Sequence, residues 1–358
     1  MRTVYLIRHG RPDFPDEEKW CLGSTDLGLG TLGRLQACLL GEVLKSVPIS
    51  QVFCSPLSRS VETARFLSEN PVIVPGLEEA GSGVWDGLSF AEIRRRWPEL
   101  YEKRAEDLNL LPPGAEVPKE AAERFEKAMR QILENSQGDV AVVAHKTVNQ
   151  MMICKNFGVP LEERHGYQLE YTSVSRLEYH KGVFRTQEIG KVFLPALTED
   201  LCRRLLHAAS VPAAVQQHCK AVAEEAKRIR EALKEAGHFL DEQRILCSAW
   251  LHDIARVEKN HPEKGAMWMK KLGYGNLASV IAQHHDLENP LLIDEAAVVH
   301  LADKCIQGTK RVALEERFAA SSEKCQTEEA KKAHQNRYET VILLKNKVHE
   351  ICKEKIVE

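Results

Sequence analysis

Four consecutive apolar residues, Val4, Tyr5, Leu6 and Ile7, run without a break into Arg8, His9 and Gly10. A short apolar run of strand-forming types reads as a strand buried on both faces, as in a parallel sheet, with the Arg-His pair delivered to its carboxyl end. That edge is where open α/β sheets place their ligands, and Gly10 lets a backbone turn sharply beside one. A histidine after a strand is more often just solvated, so the reading depends on whether other segments reach the same edge.

Three further segments do. A helix begins near Thr31, with Leu32, Leu35, Leu39, Val43 and Leu44 on one stripe. Ile49 to Cys54 is a second strand, and it enters Ser55-Pro56, where Ser can cap and Pro can occupy the first turn of a helix. Arg59 then lies in that first turn, where the helix terminus and the guanidinium both favour an anion. Val72 to Val74 is a third strand, followed by Leu77, Glu78, Glu79 and the turn-rich Gly81 to Gly87. A fourth, Val140 to Ala144, ends at His145. Arg8, His9, Arg59 and His145 thus collect at one sheet edge, which points to a phosphate site.

These segments resemble the histidine phosphatase (phosphoglycerate mutase-like) superfamily over about residues 1–190. The resemblance rests on Arg8-His9-Gly10, on Ser55-Pro56-Leu57-Ser58-Arg59 with Glu62-Thr63-Ala64 behind it, on Leu77-Glu78-Glu79 to Trp85-Asp86-Gly87, and on Val142-Val143-Ala144-His145. It implies that His9 attacks phosphorus and becomes a phosphohistidine, while Arg8, Arg59 and His145 hold the phosphoryl oxygens. Glu79 would be the general acid and later the base, with Glu78 the competing choice. A neutral imidazole is a good nucleophile near pH 7, and two guanidiniums offset the charge on the equatorial oxygens, so no cofactor is expected here. Gly10, Arg11 and Lys146 are the expected substrate neighbours. The chain departs from the family pattern at Pro12, where Thr is common, and at Lys146, where Gly is common. Lys146 adds positive charge at the rim, and a phosphatase is favoured over a mutase because the longer mutase-type segments are missing.

At 358 residues the chain is too long for one typical core, so two domains are expected. A net charge of −3 leaves no basic footprint for nucleic acid, and no apolar run approaches the ~18 residues of a membrane span. The N-terminus lacks a signal-peptide pattern, and ten scattered cysteines without a CxxC pair read as reduced thiols, so a cytoplasmic location is expected.

Ten of the fourteen histidines lie after residue 200. After Pro212 the sequence is helical, and Val215, His218, Val222, Ala226, Ile229 and Leu233 form one stripe. A histidine on such a stripe is usually a core residue, but His252-Asp253 follows inside an apolar run, where an unpaired carboxylate is costly to bury and a metal ion removes that cost. His261, the pair His284-His285, and Asp303 complete an order that resembles the HD superfamily of metal-dependent phosphohydrolases over about residues 208–312. The resemblance implies an all-α domain with one ion on His218, His252, Asp253 and Asp303. A second ion would sit on His261, His284 and His285, with Asp253 bridging. His261 as a solvated loop residue and His285 as a mere neighbour of a ligand stay open, and His238 and His300 are read as structural. Mixed imidazole and carboxylate ligands suit Mn, Fe, Co, Ni or Zn. Lys304 and Arg311 could reach a substrate phosphate, although an exposed base is more often simply solvated. Asp286 to Pro290, rather than a GYP signature, follows the histidine pair, so cyclic di-GMP is not expected.

The expected architecture is therefore an α/β open sheet over residues 1–195, an all-α HD-type domain over 196–320, and a charged helical extension over 321–358 with a frayed end. The expected function is a bifunctional phosphohydrolase acting on small phosphate esters of nucleotide or cofactor type. The other reading makes one domain catalytic and the other a regulatory nucleotide- or metal-binding module.

Overall fold

Val140, Ala141, Val142, Val143 and Ala144 are all completely buried, and in the computed structural model the strand they belong to lies inside a six-stranded sheet. The structure describes residues 1–358 except Lys324, Glu354, Lys355 and Glu358. The chain divides into two units, Met1–Pro195 and Ala196–Glu358.

The first unit runs β1 (Arg2–Arg8), β2 (Trp20–Cys21), α1 (Thr31–Leu44), β3 (Ile49–Cys54), α2 (Ser58–Arg65), β4 (Val72–Ile73), β5 (Leu88–Ser89), α3 (Phe90–Arg96) and α4 (Pro98–Glu106). It continues with α5 (Pro118–Glu134), β6 (Asp139–Ala144), α6 (Lys146–Phe157), β7 (Val174–His180) and β8 (Val183–Lys191). The sheet order is β4-β3-β6-β1-β7-β8. The first four strands in that order are parallel and the β7–β8 hairpin is antiparallel. Alternation sorts the buried side chains onto two faces. Leu6, Val140 and Val142 pack with Phe125, Met129, Val148 and Met152 of α5 and α6, while Ile7, Ala141 and Val143 pack with Leu40, Leu44 and Ala64 of α1 and α2. Helices on both faces explain the near-continuous apolar strand runs.

Two local expectations are corrected. Helix α2 starts at Ser58 after an extended Leu57, without a side-chain cap, so Ser55-Pro56 forms neither cap nor first turn, although Arg59 does lie in the first turn. The third strand is only two residues long.

The second unit holds α7 (Glu199–Ala208), α8 (Ala213–Glu235), α9 (Glu242–Leu251), α10 (His261–Lys271), α11 (Gly275–Ala282) and α12 (Glu295–Cys305). A small hairpin follows, β9 (Ile306–Gln307) with β10 (Lys310–Arg311), then α13 (Leu314–Ser322) and α14 (Glu328–Cys352). The hairpin makes this unit mainly rather than wholly helical. The expected frayed end falls in part on Glu354, Lys355 and Glu358, outside the described residues; Ile356 and Val357 are buried, and the Val357 amide donates to His349 Nε2 at 2.9 Å. No described helix is long and apolar enough to cross a membrane.

Candidate active site and metal centre

In the parallel part of the sheet Arg8 is in register with Ala144, and Cys54 with Val143. The next residues extend the same pattern: the His9 amide donates to Ala144 O at 3.0 Å and the Ser55 amide to Val143 O at 3.0 Å. His9, Ser55 and His145 are thus neighbours at the carboxyl edge, where the His9 and His145 rings lie 5.0 Å apart.

His9 is 5% exposed, and its Nδ1 lies 2.7 Å from Gly10 O. A carbonyl accepts only from a protonated nitrogen, so this bond places the proton on Nδ1 and leaves a lone pair on Nε2. Burial, then the charges of Arg8 and Arg59, push the imidazole well below its ordinary value, so it stays neutral. His145 is pushed the same way by burial, His9 and Arg59. Its Nε2 lies 2.8 Å from Ser55 Oγ and 3.3 Å from Ser60 Oγ. Arg8 donates to Leu169 O at 2.7 Å and lies over the Tyr171 ring at 3.8 Å. The Arg59 Nη atoms donate to Thr25 O and Gly23 O, both at 2.8 Å. Three buried nitrogens, Arg8 Nε, Arg59 Nε and His145 Nδ1, have no partner. Buried donors are seldom left unsatisfied, and a cluster of them beside a neutral imidazole suits an anion.

Glu79, 9% exposed, accepts from the amides of Ala80 at 3.0 Å, Thr147 at 3.0 Å and Val148 at 3.2 Å. The last two belong to the first turn of α6, so the carboxylate is docked at a helix N-terminus next to His145. Glu78 instead accepts from Gly76 N at 2.7 Å and pairs with Arg124 at 3.4 Å. Gly10 needs a different explanation from the sharp turn anticipated. A Cβ there would meet Gly33 O at 2.6 Å, and its amide is spent on Thr63 Oγ1 at 3.0 Å. Arg11 is held by Glu17 at 3.6 Å and lies over Phe14. The side chain of Lys146, the first residue of α6, makes no hydrogen bond or ion pair among the described residues, and burial followed by Arg8 lowers its ammonium.

Sequence reasoning assigned no role to Tyr171, to Ser55 as the partner of His145, or to Asp86. The Asp86 carboxylate accepts from the amides of Gly23, Ser24 and Thr25 at 2.8, 2.7 and 3.1 Å. Two of these residues, Gly23 and Thr25, hold Arg59 through their carbonyls. Thr172, next to Tyr171, sits at φ 56°, a costly conformation for a β-branched residue. Its amide donates to Arg8 O at 3.0 Å.

In the second unit the same tautomer device recurs. Nδ1 of His218 lies 2.9 Å from Gly308 O, that of His252 2.7 Å from Ala249 O, and that of His284 2.7 Å from Ile281 O. Each ring therefore turns Nε2 inward, the arrangement of metal-ligating histidines. His218, His252 and Asp303 present ligand atoms all within 4.8 Å of one another, and so do His261, His284 and His285. Asp253 lies between the two groups, with Oδ1 3.0 Å from His261 Nε2 and 3.7 Å from His284 Nε2, and Oδ2 3.7 Å from His252 Nε2. His252 Nε2, His284 Nε2 and Asp253 Oδ1 are buried without a hydrogen-bond partner. His218 Nε2 is 3.0 Å from Asp303 Oδ1. With Nδ1 already donating, a lone pair would there face a carboxylate unless a proton or a cation lies between. Burial alone would raise Asp303, but Lys304 and then His218 hold it well below the usual carboxylate range. Orphaned lone pairs around two buried anions fit a divalent cation, and all seven expected ligands belong to this cluster.

Lys304 donates to Asp303 Oδ2 at 2.6 Å and to His284 O at 3.2 Å. Arg311 pairs with Glu225 at 3.4 Å and donates to Ile356 O at 2.8 Å, tying the hairpin to α8 and to the chain end. His300 Nδ1 lies 3.0 Å from His284 O and His238 Nε2 2.8 Å from Ile293 O, both bonds to backbone.

A doubly covered open sheet with a neutral buried histidine and two arginines at its carboxyl edge defines an α/β phosphatase-type domain, followed here by a helical His/Asp centre. Residues 4–191 match the histidine phosphatase superfamily, branch 1, and the chain belongs to that superfamily. Residues 215–307 match the HD domain. A protein of Mycobacterium tuberculosis named a bifunctional protein is 31% identical over 156 residues, 42% of this chain and 43% of its own length. The chain thus spans less than half the length of the mycobacterial relatives it matches. A probable phosphoglycerate mutase of Salmonella choleraesuis is 26% identical over 189 residues, 51% of this chain and 86% of that one. The solved structure of Bacillus stearothermophilus YhfR aligns at a TM-score of 0.50 with 25% identity, covering 54% of this chain and 98% of that one. Both domain families point to a hydrolase of phosphate esters.

Proposed function

We propose that the chain is a bifunctional phosphohydrolase with a metal-free phosphohistidine centre in the first unit and a metal-dependent centre in the second. Both would act on small phosphate esters of nucleotide or cofactor type. The observation that carries this reading is the repeated use of a backbone carbonyl to spend Nδ1, at His9, His218, His252 and His284. It leaves the Nε2 lone pair for phosphorus in one unit and for a cation in the other.

In the first centre His9 Nε2 forms the new bond to phosphorus as the ester P–O bond breaks, and Glu79 gives its proton to the leaving oxygen. Arg8, Arg59 and His145 hold the three equatorial oxygens throughout, and the two guanidiniums offset their charge. Glu79, now a carboxylate, takes a proton from water, whose oxygen attacks phosphorus and releases His9 and inorganic phosphate. Gly10, Arg11 and Lys146 line the approach, and Lys146 favours a substrate with further negative charge. In the second centre His218, His252, Asp253 and Asp303 would hold one ion, and His261, His284 and His285 a second one bridged by Asp253. Mn, Fe, Co, Ni or Zn suits these donors. When bound, such a metal supplies Lewis acidity that activates water and offsets phosphoryl charge. Lys304 keeps Asp303 anionic and oriented.

The test uses the full chain with p-nitrophenyl phosphate and a phosphometabolite panel, with EDTA or with added Mn²⁺. EDTA is expected to abolish one activity and His9→Ala the other. If chelation removed all turnover while His9→Ala changed nothing, the first assignment would fail. If metal content stayed at zero after Mn²⁺ loading, the second would.

A further inference from the structure

Resting on the reading of the second centre as a metal-dependent phosphohydrolase site, we infer that Arg317, on a helix beyond the HD match, is the residue that clamps the substrate phosphate there. The His/Asp centre opens into a cavity of about 450 Å³, a size that accepts a nucleotide-sized ligand. Part of its wall comes from α13 and α14, which contribute Arg317, Phe318, Ser321, His334 and Arg337, all past the matched residues 215–307.

These two helices are fastened to each other and to the centre. Phe318 meets His334 and Tyr338 with ring centroids 5.2 and 5.1 Å apart, and Ser321 Oγ lies 2.8 Å from His334 Nε2. Arg337 grips Asp286, the residue after the histidine pair, through two bonds of 2.6 and 2.7 Å. Arg317 and Ser321 are one turn apart and so share a face of α13, which the cavity wall places toward the centre.

The cations of this wall differ in what they are already doing. Arg337 is spent on Asp286, and Lys304 on Asp303 and His284 O. Arg256 faces His261 Nε2 at 3.2 Å and Asp253 at 3.8 Å. Arg317 makes no side-chain hydrogen bond or ion pair among the described residues, and its Nε is buried without a partner. A half-buried guanidinium with its donors unspent, in a cavity shared with two metal-type clusters, is matched by a phosphoryl group, which accepts from Arg as a fork. Beside Ser321 and His334, the wall also carries the apolar Ala214, Val215 and Phe318. The ligand is therefore a phosphate ester.

The test is calorimetric titration of inorganic phosphate into the full chain, Mn²⁺-loaded and EDTA-treated. The difference between the two isolates the metal-dependent site from the first unit. Arg317→Ala is expected to keep the Mn²⁺ stoichiometry by elemental analysis and to weaken metal-dependent phosphate binding about tenfold or more. Arg317→Lys is expected to recover part of the loss. A phosphate affinity within about twofold of the unsubstituted chain would overturn the inference, as would loss of Mn²⁺ in both variants, which would make Arg317 a support of the centre. Failure of the unsubstituted chain to take up Mn²⁺, or to bind phosphate in a metal-dependent way, would instead overturn the reading of the centre itself.

Discussion

Asp86 offers the most direct test of how the first centre is held together, because it touches none of the residues assigned to the chemistry. Its carboxylate accepts three loop amides at 2.7 to 3.1 Å, and the Ser24 hydroxyl at 2.5 Å. The carbonyls of that same loop hold both Arg59 Nη atoms. Replacing it by Asn keeps the shape but turns an N–H group toward amides that need an acceptor. Hydrogen bonds to a charged group contribute about 1.5–3 kcal/mol each, and since Asp86 is only half-buried, water would replace part of what is lost. A loss of about 2–4 kcal/mol follows, or roughly 5–12 °C in Tm for a unit of this size. Burial works against the Asp86 carboxylate, but the bonds from Ser24, Gly23 and Thr25 outweigh it and lower its pKa below 3.8. Its stabilisation is therefore full above that value and is lost as pH falls through the folded-state pKa. A shift of Arg59 by about 1 Å would cost up to ~100-fold in rate. The assay is p-nitrophenyl phosphate hydrolysis in excess EDTA, where only the metal-free centre reports. The expected result is a fall in kcat/KM of about 10- to 100-fold together with the lower Tm. A variant whose Tm drops as stated while kcat/KM stays within about twofold would show that Arg59 is not positioned through this loop.

Glu79→Gln should lower kcat by about 10²–10⁴-fold toward an alkyl phosphate and by much less toward p-nitrophenyl phosphate, whose leaving group needs no acid. Equal losses on both substrates would remove Glu79 from the acid role. Since His9 and His145 are buried and neutral, with values well below 6.5, the unfolded chain takes up protons below pH 6.5 that the folded chain does not. Stability of the first unit should fall there by up to ~1.4 kcal/mol per pH unit for each ring. Urea unfolding between pH 6.5 and 5 should show a shallower slope for His9→Asn, and an unchanged slope would refute the assignment. In the second unit Arg337→Ala releases Asp286 and should weaken Mn²⁺ binding about 10-fold, as loss of an outer-shell support does. Equilibrium dialysis with an unchanged affinity would show that α14 does not brace the histidine pair.

Much of this was legible in the chain, and for a definite reason. Strands β1 and β6, and β3 from Val52 onward, are covered by helices on both faces, so these residues read as apolar runs, and the polar residue that ends each run marks the edge where ligands bind. Other features were illegible because their cause is not local. Ser55 looks like a helix cap, but its hydroxyl is taken by His145 at 2.8 Å and the helix begins later. Gly10 looks like a turn residue, yet what requires it is the approach of Gly33 O. The β7–β8 hairpin went unseen because Ser175, Arg176, Glu178 and Tyr179 give it a mixed, half-buried pattern. The hold on Arg59 runs through backbone carbonyls, which leave no mark on residue identity. Arg317 lies four residues from Ser321 on what reads as an ordinary solvated helix face, and only the cavity distinguishes it.

The two centres are complementary in charge, and this is the reason they should separate experimentally. The first surrounds a lone pair with fixed cations whose Nε atoms are buried and unspent, so an anion completes it, and an added divalent metal would meet Arg8 and Arg59 before any ligand. The second surrounds two buried carboxylates with inward lone pairs, so a cation completes it, and a phosphate dianion alone would meet Asp253 and Asp303. In water-poor surroundings such mismatches cost several kcal/mol. Phosphate should therefore protect the first unit against thermal unfolding in the presence of EDTA, while the second should be protected by Mn²⁺ first and by phosphate only afterwards. An order-independent response of the second unit would mean that its cluster is not read correctly as a cation site.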